Sequence, residues 1–192
     1  MNTPADPALP GQCSNPSDVA RVAAAFGLSV LDDDGIRQAR DLSVALLGDV
    51  VAPAETFCAV QRAVGAAMFG FREAGVLTAV LAAFPLNYEG LAHLRAGTFD
   101  AVNLDVTLVA GPGERPGAYY GWGFAATTKD GGRAVLRASA EIHRQLYWAT
   151  PTFARAVTTD GLRALTALGF KPVVWGDPGL LCIDPPALGA AL

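Results

Sequence analysis

Residues 67–73 (AMFGFRE) and 76–86 (VLTAVLAAFPL) are two apolar runs separated by Ala74-Gly75. This pattern predicts a β-hairpin turning at Glu73-Ala74-Gly75. Neither run alternates cleanly between apolar and polar, so both strands are expected to be buried on both faces. Such strands belong inside a sheet that is covered by helices on each side. The longest apolar run, residues 75–86, is too short to cross a bilayer as a helix.

The rest of the chain supplies matching helices and strands. Asp32, Asp33 and Asp34 open the helical stretch DGIRQARDLSVALLGDV, where acidic side chains complement the partial positive charge of a helix N-terminus. Pro53 begins a second helix at a first-turn position. GRAVLRASAEIHRQLY sets Val135, Ala138, Ile142 and Leu146 on one helical face, and Arg133, Arg137 and Arg144 on another. TTDGLRALTALGF is capped at its start, stops at Gly169, and offers Leu162, Leu165 and Leu168 to a core. Strands are expected over 26–31, 118–128, 151–157, 172–175 and 180–184. Gly121 and Gly123 inside the second of these mark a bulge or a close approach. Residues 87–116 read as a long, largely irregular connection with one short helix in YEGLAHLRAG, and ordered connections of that length usually have a function.

Composition narrows the function classes. A chain of 192 residues, 52% apolar and 17% charged, is a globular domain and not a disordered segment. Residues 1–17 carry four prolines and read as a tail, with one domain over 18–192. Fourteen Lys+Arg against eighteen Asp+Glu give a net charge of −4, which argues against a basic nucleic-acid footprint. Cys13, Cys58 and Cys182 lie far apart, with no paired-cysteine or Cys/His spacing, so no metal site is expected and the thiols read as reduced, in a cytoplasmic protein. The first cation is Arg21, so no signal-peptide n-region is seen, and no membrane partner is expected. The apolar excess on a small chain leaves room for a homodimer.

The ordered set of elements resembles the GCN5-related N-acetyltransferases over about residues 26–184. The pieces that carry the resemblance are FARAVTTDGLRALTALGFKPVVW, YYGWGFAATTKDGGRAVL and the hairpin FREAGVLTAV. The resemblance implies an α+β fold with a mostly antiparallel central sheet flanked by helices. Strand 118–127 should be central, with 151–157 beside it and diverging from it. It also implies acetyl-CoA or another acyl-CoA as donor, and an amine of a small molecule or peptide as acceptor. By that resemblance Ala125, Ala126, Thr127, Gly131, Gly132 and Arg133 would line the cofactor, with the N–H groups of the last three facing solvent or an anion.

Two positions depart from the family pattern. The turn before the helix is about four residues short, with Asp130 where a negative charge repels phosphate. The family's helix Asn and Tyr align with Thr158 and Leu165, and leucine cannot protonate a leaving thiolate. Tyr147, Tyr119 and Tyr120 are substitutes by residue type, and His93 in the 87–116 connection is the candidate base. Glu141 and His143 read as structural. Two readings stay open: an N-acyltransferase, and a non-catalytic binding module that has lost the cofactor cradle.

Overall fold

A computed structural model describes residues 15–48 and 50–185 of the chain. Most of the expected tail, Cys13 included, lies outside the described residues. The first helix, α1 (Pro16–Ala24), starts behind Asn15, whose side chain accepts from Ser17 N–H. A short strand β1 (Leu28–Val30) leads to α2 (Asp33–Leu47), capped by Asp32 through Gly35 N–H at 2.8 Å. The helix α3 (Ala54–Val64) follows Pro53.

The expected hairpin is β2 (Met68–Glu73) and β3 (Val76–Leu86). Its two turn residues, Ala74 and Gly75, both have positive φ, 48° and 83°. That is the turn handedness matching the strand twist, and only glycine adopts it without cost. Every residue of β3 after Val76 is buried, as its apolar sequence requires.

Much of the 87–116 connection is ordered by packing. It folds into α4 (Tyr88–Ala96), capped by Asn87 and closed by Gly97 at φ 71°, and a 3-10 turn at Val106–Leu108. Leu91, Leu94, Phe99, Leu104 and Leu108 join the large core. These residues cover one face of the sheet, so the segment serves as a packed layer.

The strand β4 (Ala118–Ala126) runs through Thr127 and Thr128 straight into α5 (Lys129–Ile142). That helix ends in a wider π-helical turn, His143–Tyr147. Then come β5 (Thr152–Arg155), α6 (Thr159–Ala167), β6 (Lys171–Pro172) and β7 (Leu180–Ile183). Leu165 is buried as expected, but Leu162 is 45% exposed, because α6 covers only the edge of the sheet.

Among the described residues, seven strands form one sheet in the order β1-β2-β3-β4-β5-β7-β6, with β4 central. The neighbouring pairs are antiparallel except β4 and β5, which run parallel. Alternate residues of β3 and β4 face two cores. Val80, Ala82, Phe84 and Tyr120 pack toward α2, α3 and α4, while Ala79, Leu81, Ala83 and Tyr119 pack toward α1 and α5.

Candidate functional site

The parallel pairing of β4 and β5 covers Tyr119–Thr152, Tyr120–Phe153 and Gly121–Ala154, and stops there. Residues 122–126 of β4 continue beside β3 but have no β5 partner. The β3–β4 register shifts between Ala82 and Ala83, opposite Gly121 and Gly123, which places a bulge around Trp122. A bulge bends its strand and interrupts the ladder. The split opens a cavity of about 630 Å³ that passes through the sheet.

Both faces of the sheet contribute walls. Arg40, Ser43, Leu46, Leu47, Val51 and Phe57 from the α2–α3 layer line one side. Gly132, Leu136, Ser139, Ala140 and His143 from α5, with Thr158, Leu165 and Leu168 from the α6 region, line the other. Gly123 sits on the free stretch of β4, and a Cβ placed there would meet nothing within 4 Å. The Trp122 indole is fixed by donation to Ala101 O at 2.8 Å and packs on Phe57 and Phe84.

Three polar groups stand out on the walls. His143 Nδ1 lies 2.9 Å from Thr152 Oγ1, and burial holds its pKa below the ordinary 6.5, so the ring is neutral at neutral pH. The Thr152 hydroxyl is within 3.5 Å of Thr150 O. When it donates there, Nδ1–H donates to Thr152 and Nε2 keeps the lone pair. Tyr119 is 3% exposed, stacks on Tyr147 at 4.0 Å, and its hydroxyl has no hydrogen-bond partner among the described residues. Burial pushes its pKa well above the usual value, so the phenol keeps its proton. Arg40 Nε donates to Ala52 O at 3.3 Å at the α2 wall.

The residues expected from the sequence divide. Ala125, Ala126, Gly132 and Thr158 line the cavity. Thr127, Gly131, Arg133, Tyr147 and His93 are not among its lining residues. His93 lies on α4 with Nδ1 at 2.9 Å from Thr98 Oγ1, serving the end of that helix. Tyr147 is buried behind Tyr119. Thr158 caps α6 by accepting from Gly161 N–H at 2.9 Å. His143, Tyr119, Trp122 and Gly123 are the site residues that periodicity did not single out as a group. The two strand glycines were the available signal, since they flag a bulge or close approach.

The expected free amides at α5 are corrected by the structure. Gly131 N–H donates to Thr128 Oγ1 at 3.1 Å, and Gly132 N–H donates to Thr128 O at 3.0 Å. Arg133 is the fifth residue of α5, where N–H groups enter the helical ladder. The Thr128 hydroxyl in turn donates to Glu73 Oε1 at 2.7 Å. A Cβ at Gly131 would lie 2.8 Å from Ala79 Cβ, so this glycine lets the helix sit close on β3. Arg133 is exposed and pairs with Asp130 at 3.3 Å. Gly131, Gly132 and Arg133 do not fit the diphosphate of coenzyme A, because their N–H groups are spent internally and two carboxylates stand at the helix start. The free stretch of β4, by contrast, presents unpaired backbone to the cavity.

One parallel pair opening at the centre of an otherwise antiparallel sheet, beside a strand that feeds a helix directly, is the arrangement implied by the sequence. This is the mixed α+β architecture that the resemblance to the GCN5-related N-acetyltransferases implied. Among solved structures, the chain is similar to one described as an acetyltransferase, at 11% identity and TM-score 0.46, covering 82% of this chain and 98% of that one. It is also similar to a histone acetyltransferase HPA2 and related acetyltransferase from Corynebacterium glutamicum, at 17% identity and TM-score 0.46, covering 85% and 97%. No protein-family model matches the chain, and no curated protein matches it.

Proposed function

We propose that the chain catalyses acyl transfer from a thioester to a primary amine of a small molecule or peptide, in the split between β4 and β5. The observation that carries this reading is the split itself. It joins two differently built walls through the sheet at a strand whose backbone is unpaired on its β5 side. An acyl thioester can lie along the free backbone of residues 122–126 from the α5–α6 side. The acceptor enters from the α2–α3 side and meets the carbonyl carbon at the gap.

The chain's own groups then have simple tasks. Unpaired backbone N–H groups near the bulge polarise the thioester carbonyl and hold its oxygen as negative charge develops. The amine nitrogen forms the new C–N bond and the C–S bond breaks, giving an amide and a thiol. Neutral His143 is the group suited to receive the ammonium proton, directly or through water. The departing thiolate takes up a proton through water from the His143 imidazolium, the role that Leu165 cannot fill and from which the enclosed Tyr119 hydroxyl is shut off.

The test is mass spectrometry of amide product, with acetyl and hexanoyl thioesters against a panel of apolar primary amines. His143→Gln, which keeps an amide facing Thr152, should lower transfer by about 10²–10⁴-fold, while His93→Ala should leave it unchanged. Absence of product with every thioester rejects the enzyme. The second reading, a non-catalytic binding module, is favoured by the spent amides at α5 and by Leu165. It predicts a ligand-induced rise in melting temperature without turnover.

A further inference from the structure

We infer that the site recognises its acyl donor by the acyl-pantetheine arm alone, and takes no affinity from a nucleotide diphosphate. The inference rests on the acyl-transfer reading and specifies its donor. Four observations lead to it. The connection from β4 to α5 consists of Thr127 and Thr128, and Thr127 is spent: its N–H and its hydroxyl both donate to Thr78 O, at 2.9 and 3.2 Å. The hydroxyl and carbonyl of Thr128 are engaged as well, by Gly131, Gly132 and Glu73. At this helix start the N–H groups of Thr128, Lys129 and Asp130 have no backbone partner among the described residues, and they face the two carboxylates described next.

The charges at this end are the second observation. Glu73 reaches the helix start through Thr128, and Asp130 belongs to the first turn itself. These carboxylates occupy the place where the helix would otherwise favour an anion. The cations nearby do not reverse this, because Arg133 is exposed and already paired with Asp130, and Lys129 is exposed. Third, Gly131 offers no space for close approach by a phosphate, since Ala79 fills it.

The fourth observation is positive. Residues 122–126 offer about 17 Å of extended backbone at ~3.3 Å per residue, next to the open space at Gly123. The two amides of a pantetheine arm can pair with such an edge as a strand would, and its methylenes suit walls of Leu136, Ala140, Leu165 and Leu168. Nothing in this recognition depends on what is attached beyond the arm.

The experiment compares acetyl-CoA, acetyl-4′-phosphopantetheine and acetyl-pantetheine as donors with the full chain and one saturating amine. The three kcat/KM values should agree within about threefold, since a factor of ten would correspond to ~1.4 kcal/mol of added recognition. A tenfold or larger preference for acetyl-CoA over acetyl-pantetheine overturns the inference while upholding acyl transfer. A preference of that size for acetyl-4′-phosphopantetheine overturns it equally. Melting-temperature shifts with CoA and with pantetheine, at equal concentrations, give a readout that needs no turnover. Equal shifts support the inference and a larger shift with CoA overturns it. No shift with either, together with no product, overturns the acyl-transfer reading and this inference with it. Gly123→Val, which fills the open space, should remove the pantetheine shift and leave the unliganded melting temperature near that of the native chain. An undiminished shift would place the arm elsewhere.

Discussion

Adjacent glycines in the first turns of α5 should respond to the same substitution with opposite sign. Gly to Ala within a helix gains roughly 0.8–1 kcal/mol of intrinsic propensity. At Gly132 nothing opposes that gain, because the new Cβ would meet only Ala126 Cβ at 3.7 Å, an ordinary contact. At Gly131 the new Cβ would stand 2.8 Å from Ala79 Cβ, 3.0 Å from Thr128 Oγ1 and 3.4 Å from Phe71 Cδ1. Carbon atoms pack at about 3.5–4.0 Å, so the helix would have to lift by ~1 Å from β3. Overpacking of this kind costs typically ~1–3 kcal/mol, which exceeds the propensity gain. Gly132→Ala should therefore stabilise by about 1 kcal/mol and Gly131→Ala should destabilise by about 1 kcal/mol. For a domain of this size that separates the two melting temperatures by ~4–8 °C. Thermal unfolding and urea midpoints at unchanged m are the assay. If Gly131→Ala melts at or above the native chain, Gly131 is not there for packing, and the closed helix start loses its main support.

Other outcomes follow from the same geometry. Phe84 is fully buried with its ring against Tyr120 and Trp122, so Phe84→Ala should cost ~3–5 kcal/mol by urea unfolding; a cost under about 1 kcal/mol would contradict that packing. Burial lowers the pKa of His143 on folding, so the unfolded chain binds its proton more readily. Stability from this group is complete above the ordinary value of 6.5 and is lost as pH falls from there through the folded value. The stability gap between the native chain and His143→Gln should then narrow between pH 7 and 5, and a gap that widens would show a charged native ring. Thr128→Val removes both the cap on Gly131 and the donation to Glu73, and should cost ~0.5–2 kcal/mol in the same assay; no loss would mean that neither bond is made in solution.

Periodicity in the sequence located the elements because burial is local to each one. The apolar hairpin, the three- and four-residue spacing of Val135, Ala138 and Ile142, and the Gly169 stop all appear where expected. The two glycines at 121 and 123 pointed at the bulge that opens the sheet. What stayed hidden depends on distances between elements. Asp-Gly-Gly reads the same whether a phosphate or a neighbouring strand demands the glycine, and only Ala79, distant in sequence, decides it for Gly131. His143 looks like one more helical position, yet it opens the π-helical turn after α5 and faces Thr152 on β5. His93 had the right chemistry on the wrong layer, since α4 packs on the sheet face and not at the gap.

The three residue pairs from Tyr119–Thr152 to Gly121–Ala154 bind the C-terminal strands to β4 like a spine. On one face of the sheet Phe153, Leu180 and Cys182 are sewn into the large core, while on the other Ala154, Leu165, Phe170 and Leu181 form a small cluster of their own with α6. The C-terminal strands are thus bound firmly along one page and loosely along the other. A guest wedged in the seam fastens both pages at once. Its imprint should reach beyond the residues it touches, as slower amide exchange along β5, β7 and α6, and that slowing measures how much of the domain's rigidity the empty chain leaves to its ligand.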